Sequence, residues 1–149
     1  RRRSGALTSA AGQGPTETCT VIVADTSVWV QFFRGKERRT AEHLRELLDR
    51  DEVSLVAPVR VEILAGTSRP DFVRLQPLLS ALPLLFPTED TWREMERWIA
   101  VAIAAGERFG IGDLLIGAIA SGHDYSIWSL DSDFERLAEL GLVKTYVPS

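Results

Sequence analysis

TVIVADTSVW, residues 20–29, sets the reading of the whole chain. Its first five residues are a short, continuous apolar run rich in β-branched side chains, which suits a strand covered on both faces. Asp25 then opens TSVWVQFF, which reads as a short helix. The same alternation continues outward from this stretch. RRTAEHLRELLDRD (38–51) carries Ala41, Leu44, Leu47 and Leu48 on one helical face. VSLV (53–56) is a second strand, and the helix after it starts at Pro58 and closes on Gly66. A further helix begins at Pro70 and is disturbed near Pro77, and PLLF (83–86) is the third strand. Thr88 to Glu107 is the longest helical pattern, with Trp92, Met95, Ile99, Ala102 and Ile103 at helical spacing. GIGDLLIGAIASG (110–122) is apolar nearly all round and predicts a buried helix. SIWSL (126–130), DFERLAELG (133–141) and VKTYV (143–147) close the chain as strand, helix and strand. Strands spaced by helices predict a single α/β domain of three layers, α/β/α, around a mainly parallel central sheet.

Composition agrees with one compact unit: 149 residues, 45% hydrophobic and 26% charged. Charged residues or prolines interrupt every apolar stretch before it reaches the roughly 18 residues a membrane span needs, so no membrane role is expected. Cys19 is the only cysteine, which excludes an internal disulfide and a cysteine-based zinc cluster and suits a reducing, cytoplasmic setting. Residues 1–19, RRRSGALTSAAGQGPTETC, lack helical or strand periodicity and read as a flexible leader. Three arginines open it, but no apolar segment follows, so a secretory signal is not expected. With Arg1, Arg2, Arg3 and Glu17 set aside, residues 20–149 hold 14 basic and 20 acidic side chains, a net charge of −6. A body this acidic binds a polyanion only through a local basic rim or through bound cations that reverse the field.

The informative acids are Asp25, Glu62, Asp113 and Asp131. Asp25 and Asp131 each directly follow a predicted strand. In a parallel sheet both emerge at the carboxyl edge, where open α/β folds bind ligands. Glu62 lies in a helix among Val61, Ile63 and Leu64, and Asp113 opens a helix whose next seven residues carry no polar side chain. Each acid also has a structural explanation: Asp25 as a helix cap, Asp113 as a complement to the helix dipole, Asp131 or Asp133 as the cap of 133–141, Glu62 as an exposed helical residue. Caps, however, do not require four acids from four distant segments. Carboxylates clustered without cysteine or histidine call for a hard cation, Mg²⁺ or Mn²⁺, because the acids cannot all stay ionised together without one. Such sites hydrolyse phosphodiesters, which predicts a metal-dependent nuclease or phosphatase.

These residues, in this order, resemble a known family. Asp25-Thr26-Ser27 after the first strand, Glu62 in VRVEIL, Asp113 in GDLLIGAIA, and Ser129-Leu130-Asp131-Ser132-Asp133-Phe134 are similar to the motifs of PIN-domain ribonucleases, especially VapC-type toxins of bacterial toxin-antitoxin pairs. The likeness extends over residues 20 to 147 and implies a PIN-like nuclease domain over 20–149. It implies that Asp25, Glu62, Asp113 and Asp131 form the catalytic quartet, with Asp25, Asp113 and Asp131 on Mg²⁺. Ser27, Ser129 and Asp133 would be auxiliary; family members often carry Thr where Ser129 stands, and the hydroxyl is kept. The implied activity is endonucleolytic cleavage of structured RNA such as tRNA or rRNA, leaving a 5′-phosphate and a 3′-hydroxyl. The implied partners are a cognate VapB-type antitoxin, whose C-terminal segment lies over the site, and a second copy in a homodimer.

Arg34, Lys36, Arg38 and Arg39 fall in one short segment after the first helix and are candidate RNA contacts, or simply a solvated loop. Arg60 and Arg108 are near Glu62 and Asp113 in sequence, to salt-bridge them or to face RNA. Trp92, Trp98 and Trp128 read as core or partner packing, while Trp29, Phe32 and Phe33 are candidates for an antitoxin groove or for the core. His43 and His123 lack metal-ligand spacing, and GERFGIG (106–112) is neither a P-loop nor a dinucleotide fingerprint. Two competing classes stay open: a catalytically silent PIN-like module that binds RNA or protein, and a receiver-type phosphotransfer domain. The receiver type needs an acidic pair after the first strand, where only Asp25 stands, and a late-strand Lys that Lys144 does not match.

Overall fold

The computed structural model describes residues 20–149; the leader read over 1–19 lies outside the described residues. Four strands form one parallel sheet in the order β3-β2-β1-β4, with β1 at Ile22–Ala24, β2 at Val53–Val56, β3 at Leu84–Leu85 and β4 at Ser126–Trp128. Seven helices surround it among the described residues: α1 Thr26–Arg34, α2 Arg38–Asp49, α3 Ala57–Ala65, α4 Arg69–Ser80, α5 Glu89–Ala104, α6 Ile111–Gly122 and α7 Asp133–Glu139. This is the three-layer α/β/α arrangement expected, in one domain. Ile22, Val23 and Ala24 are fully buried, as a central strand between helical layers must be. The register pairs Ala24 with Trp128, so the chain leaves β1 and β4 side by side at the carboxyl edge.

Three expectations are corrected. VKTYV does not form a strand: it contributes a single parallel bridge, Thr145 to Ile127, with Ile127 N–H donating to the Lys144 carbonyl and Tyr146 N–H donating to that of Ile127. Only Thr145 comes into register with β4, so no ladder forms beyond that single bridge. Pro77 does not break α4, which runs on to Ser80; the hydrogen bond it removes falls in the last turns, and Ser68 caps the other end by accepting from Asp71 N–H.

The third correction concerns α5. Its buried stripe is Thr91, Met95, Trp98 and Ala102, whereas Trp92, Ile99 and Ile103 are 50%, 41% and 71% exposed. The two rows lie about 100° apart on the helix, and an apolar face this wide does not disclose which half faces the rest of the domain. Together with Ile111, itself 71% exposed at the start of α6, the outer row leaves an apolar surface uncovered. On the inner side Trp98 is fully buried, donates its indole N–H to Glu94 at 2.9 Å, and lies on Gly117 of α6. A Cβ at Gly117 would stand 3.0 Å from the Trp98 ring, so the missing side chain is what lets α5 and α6 approach. α6 in turn packs on β2, β4 and α7. Gly106, at φ 72, takes the left-handed conformation that ends α5 and turns the chain towards α6.

Candidate metal centre

The site is built on the carboxyl ends of β1 and β4. Asp25 caps α1, and its carboxylate accepts from Ser27 N–H at 2.5 Å and from the Ser129 hydroxyl. Ser129 Oγ also accepts from Asp131 N–H at 2.9 Å, and Ser27 Oγ accepts from Leu130 N–H at 3.0 Å. The two serines therefore lace the loop after β4 to the start of α1. The capping role of Asp25 and its place in the acidic cluster coexist. Loss of these outer partners of a ligand typically costs 10–100-fold in metal affinity or activity. Ser129→Ala is expected to fall in that range, and Ser129→Thr to retain most activity because the hydroxyl survives. Cleavage rates of the two variants at fixed metal concentration measure the difference.

One carboxylate oxygen from each of Asp113, Asp131 and Asp133 lies within 4.8 Å of the others. Asp113 comes from the first turn of α6, Asp131 from the loop after β4, and Asp133 from the first residue of α7. Asp133, given an auxiliary place from sequence, thus stands in the tightest group. Asp25 is 6% exposed, and its charge acts on Asp113 from beside the trio. Glu62 is exposed on α3, accepts a hydrogen bond from the Thr26 hydroxyl, and has its other oxygen 3.3 Å from where a Gly112 Cβ would stand. It lies at the same edge, outside the trio. Thr26 belongs to the Asp25-Thr26-Ser27 motif, but the sequence assigns it no role; its hydrogen bond to Glu62 is visible only in the fold.

The electrostatics are those of a crowded anionic pocket. Burial pushes the Asp25 carboxyl above its ordinary range, opposed by the hydrogen bonds from Ser129 and Ser27 and reinforced by the charge on Asp131. Asp113 is pushed up to about 7, first by burial, then by its hydrogen bond with Asp133 and the charges of Asp133, Asp131 and Asp25. The donors are all carboxylate oxygens, and the cluster is under-compensated for its charge, which fits a hard divalent cation.

A pH dependence follows. The unfolded chain releases the Asp113 proton near 3.8 while the folded chain holds it to about 7, so metal-free protein loses stability as pH rises through that window and levels off above it. Thermal melts in EDTA between pH 4 and 8 are expected to show that decline, and millimolar Mn²⁺ at pH 8 to reverse it. A flat profile would mean the acids do not confront one another.

Of the basic candidates, Arg34 ends α1 and shares a cleft with Val30, Phe33, Glu62, Asp71 and Arg74 between α1, α3 and α4. Arg38 and Arg39, at the start of α2, line a second cleft with His43 and Trp128, and a third, sharing Thr40, Trp128 and Pro148 with it, reaches Asp131. Lys36 is exposed between α1 and α2. Arg60 donates to Ser80 Oγ at 2.8 Å across to α4. Arg108 lends its carbonyl to Arg136 at 3.1 Å. Trp29 is buried and packs with Phe32 and Phe33, so of these three only Phe33 lines the cleft beside Glu62.

Acids from the first turns of two helices and from the loop after β4 converge beside Asp25 at one edge of a parallel sheet and define a class, and comparison with known proteins gives it a name. The sequence model of the PIN domain matches residues 22–140, and the chain belongs to that family. Over 125 residues it is 31% identical to VapC ribonuclease Mb1587 of Mycobacterium bovis and to ribonuclease VapC11 of Mycobacterium tuberculosis, covering 80% of this chain and 93% of each relative. It is with VapC ribonucleases, within the PIN family, that the chain is aligned. Among solved structures, FitAcB from Neisseria gonorrhoeae superposes with a TM-score of 0.70 at 22% identity, over 86% of this chain and 98% of that one. A toxin-antitoxin complex from Klebsiella pneumoniae gives 0.60 at 17% identity, over 75% and 88%. These two likenesses are of fold.

Proposed function

We propose that this protein is a Mg²⁺-dependent endoribonuclease, the toxin of a toxin-antitoxin pair, with Mn²⁺ able to replace Mg²⁺. The observation that carries this reading is the convergence of Asp113, Asp131 and Asp133 beside Asp25, where burial and then the neighbouring acids push the Asp113 carboxyl up to about 7. Asp25, Asp113 and Asp131 are the proposed ligands, and Glu62 completes the catalytic quartet. When bound, the ion acidifies nearby water and offsets charge gathering on the scissile phosphate. The chain's own groups do the rest. Ser27 and Ser129 hold the Asp25 carboxylate in place, and Thr26 fixes one oxygen of Glu62, leaving the other at the site edge to accept a proton from the attacking water.

The substrate proposed is structured RNA, tRNA or rRNA, cut to leave a 5′-phosphate. Arg34, Lys36, Arg38 and Arg39 are exposed, Arg34 in the cleft that holds Glu62 and Arg38 and Arg39 in a cleft next to the one that holds Asp131, and they are the proposed local basic rim for an acidic body. The cleft beside Glu62 is the proposed seat of a VapB-type antitoxin segment, and the uncovered apolar row on α5 and α6 the proposed homodimer face. Among the described residues no helix is long and apolar enough to cross a membrane, and the cytoplasm is the proposed place of action.

The test is direct. Purified protein incubated with total RNA and Mg²⁺ is expected to give discrete cuts that EDTA abolishes. RNA retained on the protein but left whole under all metal conditions would support a silent binding module instead. Growth arrest on expression, relieved by a neighbouring small gene, checks the toxin role.

A further inference from the structure

Arg136 enters neither the sequence reading nor the proposed chemistry, yet it makes more polar contacts than any other cation described near the site. From α7 its Nη1 donates to Asp133 Oδ1 at 2.9 Å. Its Nη2 donates to the Glu107 carboxylate and, at 3.1 Å, to the Arg108 carbonyl. Its guanidinium carbon stands 4.6 Å from the centre of the Phe109 ring. One side chain thus ties α7 to three consecutive residues of the α5–α6 connection. That connection leads directly into the first turn of α6, where Asp113 sits, while Asp133 begins α7.

We infer that Arg136 is a positioning residue for the divalent ion: the brace from Asp133 to the Glu107–Phe109 segment sets the separation and orientation of Asp133 and Asp113. The planar fork suits this task, because it holds a carboxylate, a second carboxylate and a carbonyl at once while its face stacks on an aromatic ring. Glu107 balances the Arg136 charge within the same contact, so the brace fixes Asp133 while adding little positive field to repel a cation. Lysine, a point charge on a flexible stem, has neither the fixed fork nor the planar face that stacks on Phe109.

The inference rests on the metal-dependent reading above, and a double-mutant cycle on Mn²⁺ binding separates the two. Free Mn²⁺ is measured by electron paramagnetic resonance, without RNA, for wild type, Arg136→Met, Arg136→Lys, Asp133→Asn and the double variant Arg136→Met with Asp133→Asn. Loss of the groups that position a metal's surroundings typically weakens binding 10–100-fold, and Arg136→Met, which frees Asp133 beside the three proposed ligands and the connection leading to Asp113, is expected to weaken Mn²⁺ binding by about tenfold or more. Arg136→Lys is expected to fall between it and wild type. In the Asp133→Asn background Arg136→Met is expected to add less than about twofold, because its effect passes through that carboxylate. Melts in EDTA show that each variant is folded. Unchanged or tighter Mn²⁺ binding by Arg136→Met, or an equal loss in both backgrounds, overturns the inference and leaves the metal site standing. Wild-type protein that binds no Mn²⁺ overturns both.

Discussion

Asp113→Asn will lower the rate of RNA cleavage by about a thousandfold or more while making the metal-free protein more stable at pH 8. The activity loss follows from the chemistry of the ion, worth several kcal/mol of transition-state stabilisation, with each 1.36 kcal/mol a factor of ten. Asparagine keeps the shape of the side chain and removes the charge that holds the cation. The stability change has the opposite sign because Asp113 is pushed up to about 7 by burial and by the neighbouring acids, so at pH 8 the folded chain carries a carboxylate it does not favour. A variant that is inactive only because it is misfolded moves both quantities down together. Asp25→Ala is expected to be as inactive but less stable, by about 1 kcal/mol, because it strands the Ser27 N–H that Asp25 caps. Cleavage of total RNA with Mg²⁺, beside melts in EDTA, measures both. Undiminished cutting by these two variants would end the acidic-site mechanism.

Trp98→Ala is the change expected to harm the fold most, at about 3–5 kcal/mol. Its ring is fully buried between α5 and α6 and closes over Gly117, and its indole N–H is satisfied by Glu94. For a domain of this size that corresponds to a fall in melting temperature on the order of 10 °C. The contrasting position is Ile103 on the outer row of the same helix, 71% exposed, where Ile103→Ser is expected to leave the unfolding free energy of the monomer within about 0.5 kcal/mol. Urea unfolding of the two variants at low protein concentration compares them. Equal costs would mean that the inner and outer rows of α5 have been assigned to the wrong environments.

The difference between those two residues marks where reading a sequence stops. Both are apolar, both lie on one long helix, and Trp92, Ile99 and Ile103 fit a helical face as well as Thr91, Met95, Trp98 and Ala102 do. Only the packing of α6, with Gly117 under the Trp98 ring, selects the second row. The last segment behaves similarly: VKTYV has strand composition, but it meets β4 at one bridge, Thr145 to Ile127, and alignment along a neighbouring strand is decided between elements. Arg136 was visible only as one more charge on α7. Its i,i+3 spacing from Asp133 was legible, while its contacts with Glu107, Arg108 and Phe109 cross from one element to another.

What the chain's own order of residues determined was everything set locally: apolar runs that become strands, periodic stretches that become helices, and acids placed directly after strands, which any parallel sheet carries to one edge. The tertiary structure alone decided which of those acids meet. Asp133 joins Asp113 and Asp131, while Glu62 stays one step outside, bound to Thr26. The reason is geometric. Strand and helix periods fix the direction of a side chain from its own element, but distances of a few ångströms between elements depend on register, packing and cross-braces whose partners lie far apart along the chain.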